Sequence, residues 1–409
     1  MPASLYICYF GLREPLVQTQ VLPYLRELVA GGVEMSLLTF EPELKTRWTR
    51  AEIDRQTAAL AGEGIEWHQL PYHKTPSVPG TLWDIFRGVL FIRSFVARRR
   101  PDILHGRVHL PTLMAALARK LTRHKPKLLF DIRGFFPEEY TDAGVWPEGG
   151  WLYRAAKRVE HWLMRQADGF VVLTEAARSI LFPGSKETGL DKLGRPVEVI
   201  PCCVDMARFG EATKEPNIRE VLGIGDRPVI VYVGSLGGWY LGKQMLDLFE
   251  TAKQVDPTTF VMVITQRDEG RVRDDLMKRG FAPEDFFVGS LTPAEIPSYL
   301  AAADTAVSFI KACYSKRSSS PTKIAEYLAR GLPIIANRGV GDLDDLIEQN
   351  DAGAILDGFT PEAYRTSLEK VAGLGDVASR LRDLAKSEFD IKTVGGVRYR
   401  RLYQRLLEK

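Results

Sequence analysis

Three short stretches place residues able to do polar chemistry at the end of an apolar run. The first is Ser318-Ser-Ser-Pro-Thr-Lys-Ile-Ala-Glu326, which opens an amphipathic pattern stopping at Gly331. Ser320 is a good N-cap and Pro321 suits the first helical position, so the spacing predicts a helix over Pro321–Arg330. The unsatisfied amides and positive dipole end at such a start suit a phosphate. Lys316, Arg317 and Lys323 add positive charge, and Glu326, one turn on, has the reach to accept hydrogen bonds from a ribose diol. The same residues also read as an ordinary capped helix with a surface glutamate. The second stretch is Tyr232-Val-Gly-Ser-Leu-Gly-Gly-Trp-Tyr-Leu-Gly-Lys243, a strand running into a loop with Gly234, Gly237, Gly238 and Gly242. Glycines let backbone amides approach a ligand closely, and Trp239 and Tyr240 could wall off a base or a sugar. The alternative is a βα turn whose aromatics pack on the core. The third is Asp131-Ile-Arg-Gly-Phe-Phe-Pro-Glu-Glu139, where Asp131 and Arg133 leave a buried strand and are costly there unless paired or used. An internal salt bridge is the competing reading, and His105, which also ends a strand, reads equally as a structural histidine.

Several chemistries are excluded by what these loops lack. The turn after the first strand, Gly11-Leu-Arg-Glu-Pro15, is not GxGxxG, and there is no GxxxxGK[ST], HExxH or GxSxG. The six histidines show no metal-ligand spacing, and Asp342–Asp345 reads as helix surface. The four cysteines (Cys8, Cys202, Cys203 and Cys313) form neither a CxxC pair nor a disulfide framework, which points to a reducing, cytoplasmic compartment. No secretory signal and no run long enough to span a bilayer are read.

The elements that must position these loops follow from periodicity. Short apolar, β-branched runs alternate with helix-period stretches: Leu5–Phe10, Glu34–Phe40, Ile65–Pro71, Ile103–His105, Leu128–Ile132, Gly169–Leu173 and Val197–Pro201 in the first half. The second half repeats the pattern at Val229–Val233, Phe260–Thr265, Phe286–Val288, Thr305–Phe309, Pro333–Ala336 and Ala354–Leu356. Near-continuous apolar content marks parallel strands buried on both faces. Helices are expected between them, for example over Gln18–Val29, Trp83–Ala97 and Tyr153–Arg165, giving an α/β chain of two domains. The joint falls near Asp205–Pro216, and a basic helix is expected in Val394–Lys409, packing back on the first domain. Among 409 residues, 55 Lys/Arg and 52 Asp/Glu leave a net charge of +3. Residues 87–127 carry eleven Lys/Arg against the single acid Asp102.

Taken together, the order and spacing resemble the retaining GT-B glycosyltransferases of the family 4 type over almost the whole chain. The matching pieces are Gly11 with Pro15–Leu22, Val171-Val-Leu-Thr-Glu175, Val199-Ile-Pro-Cys-Cys-Val-Asp205, Tyr232-Val-Gly-Ser235, Glu326-Tyr-Leu-Ala-Arg-Gly-Leu-Pro-Ile-Ile335 and Gly339-Val-Gly341. The resemblance implies two Rossmann-like domains with a cleft between them: 1–208 for an acceptor, 216–390 for a nucleotide-diphosphate sugar, and a C-terminal helix within 391–409. It implies no cofactor and no metal, the nucleotide sugar being a co-substrate. The implied donor-binding residues are Gly234, Ser235, Gly237, Lys243, Arg267, Ser318, Ser319, Ser320, Thr322, Lys323 and Glu326. Gly11 and Gln18 would bind the acceptor, and Asp131, Arg133 and His105 would hold the sugar or acceptor at the reacting centre. Three positions depart from the pattern. Ser318 stands where the family often has a second acid, Ser235 stands where it often has Arg, and Gly242 precedes Lys243 rather than following it. Lys243, Lys316, Arg317, Lys323 or Arg267 must then neutralise the leaving phosphate.

The expected function is transfer of a sugar to an acceptor hydroxyl with retention, in cell-envelope or exopolysaccharide assembly. A nucleotide-sugar epimerase or phosphorylase, an inactive partner subunit and a two-lobed sugar-binding protein are the alternatives. The acceptor is a glycan or lipid-linked. The basic-aromatic stretch Trp83–Ala97 fits contact with the inner face of an anionic membrane as well as plain burial. Nucleic acid is not an expected partner.

Overall fold

The computed structural model describes residues 1–73, 75–210 and 217–408. The expected joint therefore lies partly outside the described residues, at 211–216, as do residue 216 as a domain start and residue 409. The chain divides into two compact units, Met1–Pro201 with Val394–Lys409, and Cys202–Thr393.

The first unit is built on a seven-stranded sheet: β1 (Ala3–Cys8), β2 (Glu34–Pro42), β3 (Ile65–Tyr72), β4 (Ile103–Arg107), β5 (Lys127–Asp131), β6 (Gly169–Val172) and β7 (Val197–Val199). Their order is β3-β2-β1-β4-β5-β6-β7, all parallel. The order reverses between β1 and β4, where Tyr6 stands opposite His105. Apolar side chains of the central strands are fully buried (Leu5, Ile7, Leu104, Leu128 and Phe130) because helices cover both faces. The helix expected over Gln18–Val29 is two helices, Pro15–Gln20 and Leu22–Ala30. Val21 leaves helical geometry between them (φ −124°, ψ −66°), and Pro23, which has no amide hydrogen to donate, sits in the first turn of the second.

The basic C-terminal segment forms the helix Gly396–Leu407, whose apolar face (Tyr399, Leu402, Tyr403 and Leu406) is buried. Its arginines bind the first unit: Arg400 pairs with Glu27 and Arg401 with Glu198, while Arg398 donates to the Val199 carbonyl. This helix thus supplies one wall of a unit whose other elements end at Pro201.

The second unit carries β8 (Val229–Val233), β9 (Phe260–Ile264), β10 (Phe286–Gly289), β11 (Thr305–Ser308), β12 (Ile334–Asn337) and β13 (Gly353–Leu356). The order β10-β9-β8-β11-β12-β13 is again parallel throughout, reversing between β8 and β11. Residues just after Pro201 already belong here. Val204 exchanges backbone bonds with Phe389 and Ile391, and Phe209 is buried in this unit's core. Among the described residues no helix is long and apolar enough to cross a membrane.

Candidate functional site

In an open parallel sheet, ligands collect beyond the carboxyl ends of the strands where the order reverses. In the second unit that point lies between β8 and β11, and the loops leaving both strands are tied together there. Leu241 N donates to the Phe309 carbonyl at 3.1 Å and Lys311 N to the Trp239 carbonyl at 2.8 Å. Asn337, at the end of β12, receives the Ile310 amide on its Oδ1 at 2.8 Å and donates back to the Ile310 carbonyl at 2.9 Å. A polar residue closing the apolar run Ile-Ile-Ala was the signal for this clamp, which the sequence reading passed over.

The helix that points its start at this junction runs Thr322–Arg330. It begins one residue later than expected, with Pro321 in the cap position and no side-chain cap. Ser320 is not the N-cap. Its Oγ instead accepts the Cys202 amide at 3.1 Å, because Pro321 holds an extended backbone (φ −69°, ψ 123°) and turns Ser320 away from the helix amides. Ser318 is buried and donates to the Ser315 carbonyl at 2.7 Å, so it shapes the loop. Ser319 continues that loop, its amide bonding the Lys316 carbonyl, and Thr322 opens the helix.

Lys323 dominates the arrangement. The residue is 6% exposed, and its Nζ has no hydrogen-bond partner. Nζ lies 4.2 Å from the ring centres of both Tyr232 and Tyr240, in the cation–π range. It also lies over Gly234, where a Cβ would come within 2.8 Å of it. Gly234 has φ +138°, so glycine is required there twice, for its backbone and for the lysine's space. The Tyr232 hydroxyl donates to the Ser235 carbonyl at 2.6 Å, and the Val233 amide donates to the Tyr327 hydroxyl at 2.8 Å, fixing the box. Burial pushes the Lys323 amine down to about 7, against the opposing pull of Glu326. The Glu326 carboxyl is half-buried, and desolvation pushes it up to about 7, with Arg208 and Lys323 pulling the other way.

The remaining donor candidates sit around this box rather than in it. Lys316 is buried with Nζ 4.0 Å from the centre of the Trp239 ring, and its carbonyl accepts the Gly341 amide. Trp239 is therefore a platform for a lysine. Lys243 does not share the box. Its side chain is 77% exposed, pairs with Asp247 one turn along its own helix, and lines a groove with Gly237 and Arg271. The lysine gathered with Gly234 is Lys323, because helix Thr322–Arg330 delivers it from behind the loop. Arg267 is exposed in the turn after β9, held by the Thr265 hydroxyl. Asp344 caps the Gly339 amide at 3.1 Å in the next glycine loop.

In the first unit, the expected reacting residues form a buried polar network. Asp131 and His105 have no exposed surface. Asp131 Oδ2 accepts from Arg133 Nε (2.9 Å) and the Tyr399 hydroxyl (2.9 Å), with His105 Nε2 at 3.4 Å and Arg107 at 3.9 Å. His105 Nδ1 meets the Tyr403 hydroxyl at 3.0 Å. Burial alone would raise the Asp131 carboxyl, but Arg133, His105 and Arg107 outweigh it and hold it well below the usual carboxylate range. The histidine is pushed down by desolvation, so it stands neutral at pH 7. Asp131 holds Arg133, whose NH1 is buried and unpartnered, while His105 is held between Asp131 and Tyr403. Arg107, Tyr399 and Tyr403 were missed in the sequence because two of them arrive from the far end of the chain. The only trace of the two tyrosines was the i, i+3, i+4, i+7 apolar pattern of the last helix.

Gly11 approaches Glu41 and Pro42 too closely for any Cβ, and the Leu12 amide donates to Glu41 at 2.8 Å. Gln18 is exposed and donates to the Leu12 carbonyl at 2.6 Å, so it braces this turn. Val108, at the end of β4, is a β-branched residue at φ +62°, a strained conformation worth about 1–3 kcal/mol. Its amide bonds the Asp131 carbonyl at 2.9 Å, so the strain is held against the same network. Among the described residues no group of three or more His, Cys, Asp or Glu could hold a metal ion.

Residues 17–182 match the glycosyl transferase 4-like domain family and residues 214–387 match the glycosyl transferases group 1 family. No curated protein sequence matches significantly. Among solved structures, the sucrose-phosphate synthase of Thermosynechococcus elongatus is similar with a TM-score of 0.73 at 13% identity, covering 100% of both chains. A glycosyltransferase from Rickettsia africae gives 0.70 at 14%, covering 100% of this chain and 99% of that one. Anabaena HepE in complex with UDP and glucose gives 0.66 at 15%, with the same coverage. At these identities the likeness shows the fold, the GT-B pairing of two Rossmann-like parallel-sheet domains.

Proposed function

The chain belongs to the glycosyl transferases that join a 4-like domain to a group 1 domain, and is a glycosyltransferase; from this premise we propose that it moves a sugar from a nucleoside-diphosphate donor to an acceptor hydroxyl with retention at the anomeric carbon. The observation that carries the reading is Lys323, a buried cation-forming side chain with no partner, aimed at a glycine loop beside a helix start. A diphosphate is the ligand that would satisfy the amine, the loop amides and the helix dipole at once. UDP in the related Anabaena structure supports that donor class. Glu326, one turn further on, would accept from the ribose hydroxyls. As the anomeric C–O bond breaks, charge grows on the leaving phosphate, and Lys323 and the amides stabilise it where it grows. The acceptor oxygen would attack from the same face, its proton passing to the leaving phosphate.

The test is a thermal-shift panel of UDP, ADP, GDP and dTDP with EDTA present throughout. At least one diphosphate should raise Tm by several degrees, as expected for a ligand at a hundredfold excess over Kd. The corresponding monophosphate should give a smaller shift. A flat response to the whole panel would remove the donor-site reading.

A lipid-linked acceptor in envelope glycan assembly is favoured by one helix. Ser77–Arg99 buries Val89, Ile92 and Phe95 yet leaves Val78, Leu82, Phe86 and Leu90 exposed at four-residue intervals, with Trp83 beside them. Its one acid, Asp84, is fully buried and accepts from Tyr9 and the His73 amide, so the outer face carries Arg87, Arg93 and Arg98 unopposed on that helix. Such a face suits the inner, anionic leaflet of a membrane. Co-sedimentation with vesicles should rise with phosphatidylglycerol content, and replacing Leu82, Trp83 and Phe86 together by Ser should cut it at least tenfold. Binding indifferent to anionic lipid would exclude this surface.

A further inference from the structure

We infer that filling the donor site is coupled to uptake of one proton by Lys323, which waits as the neutral amine and becomes the ammonium only when a diphosphate arrives. The inference rests on the donor-site reading above and adds to it the protonation state of the group that meets the phosphate.

An ammonium has three protons to place, and Nζ of Lys323 finds no oxygen for any of them. Two aromatic faces at 4.2 Å offer about 2 kcal/mol of cation–π attraction when desolvated, against a penalty of several kcal/mol for an unpaired buried ion. The penalty is the larger quantity, so the resting amine sheds its proton. The surrounding groups agree. From β8 comes the Tyr232 phenol, already donating to Ser235, and from the glycine loop comes the Tyr240 phenol; burial raises both, so they stay neutral. From its own helix come Glu326 and Tyr327. The Tyr327 phenol is likewise neutral, and Glu326 is the one opposing charge, its pull on the amine smaller than the effect of burial. Lys316 lies over Trp239, and Arg208 lies close enough to Glu326 to pull its carboxyl down, so neither offers the amine an anion.

A diphosphate reverses this balance, because an adjacent anion favours the charged form of the amine. The chemistry is a proton transfer only: the nitrogen lone pair takes a proton from the buffer as the phosphate seats, and returns it when the nucleotide leaves. With the free amine near 7, most of it is neutral above that pH and most is charged below. Uptake is therefore largest on the alkaline side and fades under acid conditions.

Isothermal titration calorimetry with the best binder of the diphosphate panel, at pH 8 in HEPES and in Tris, reads the proton count from the dependence of binding enthalpy on buffer ionisation enthalpy. At pH 8 the nucleotide is fully ionised and Glu326 largely so, and neither obscures the result. The expected slope approaches one proton taken up, falling toward zero at pH 6. In Lys323→Arg, whose guanidinium stays charged, uptake should vanish. Tight binding by the wild type with no buffer dependence at pH 8 overturns the inference while leaving the donor site standing. Uptake that persists in Lys323→Arg also overturns it, by assigning the proton elsewhere. Absence of binding by every diphosphate overturns the donor-site reading itself, and this coupling with it.

Discussion

Lys323→Met should lower kcat about 100- to 1000-fold while leaving the melting temperature unchanged or raised. The two halves of that expectation come from one observation. Removing a preorganised charge from a developing oxyanion costs about 2.7–4 kcal/mol of transition-state stabilisation. Nζ of Lys323 has no partner in the free protein, so replacing a buried, unsatisfied amine with an apolar side chain of similar length relieves a penalty. A purely structural lysine would give the opposite pairing, lost stability with retained turnover of the folded fraction. Lys243→Ala supplies the contrast. Its exposed pair with Asp247 is worth no more than about 1 kcal/mol, so turnover should stay within about fivefold of wild type. Donor-consumption assays with thermal melts on the same preparations check all of these values.

Asp131→Asn should be the most destabilising conservative change in the first unit. The amide removes the charge that Arg133 and Arg107 both face, leaving buried guanidiniums uncompensated, at a cost of about 3–5 kcal/mol. For a unit of this size that lowers Tm by roughly 10 °C or more. Diphosphate binding by the folded variant should be unchanged, since Lys323, Gly234 and the other residues proposed to hold it all belong to the other unit. The pH dependence follows from the sign of the shift. Asp131 is held well below its unfolded value near 4, so its contribution is fully present above that pH and is lost as the pH falls toward the folded value. Wild type should therefore lose stability below pH 4 more steeply than Asp131→Asn. Equal acid sensitivity of the two proteins would show that this carboxylate carries no such charge.

The sheets were the most legible part of the sequence, since each strand is an apolar run long enough to be seen alone, and all thirteen are found within a few residues of their expected limits. Helix starts were less legible. Ser320 has the chemistry of a cap, but the extended backbone at Pro321 sends its hydroxyl to Cys202, a partner more than a hundred residues away. Which of the two candidate lysines, Lys243 or Lys323, lies at the glycine loop is not legible locally, for a related reason. Lys243 is near Gly234 along the chain, whereas Lys323 reaches it only through the packing of helix Thr322–Arg330 against β8. Asp131 and Arg133 were visible as charges at the end of a buried strand. What they do depends on Tyr399 and Tyr403, which no local pattern connects to them.

That dependence orders events while the protein is being made. The ribosome completes the whole of Cys202–Thr393 before it emits the last helix, and at about 5–20 residues per second that interval is some tens of seconds. Throughout it the nascent first lobe holds an aspartate and two arginines without the tyrosines that later cover them. The half synthesised first is therefore the half finished last, and a chain stalled or clipped before Gly396 should be handed to chaperones rather than released.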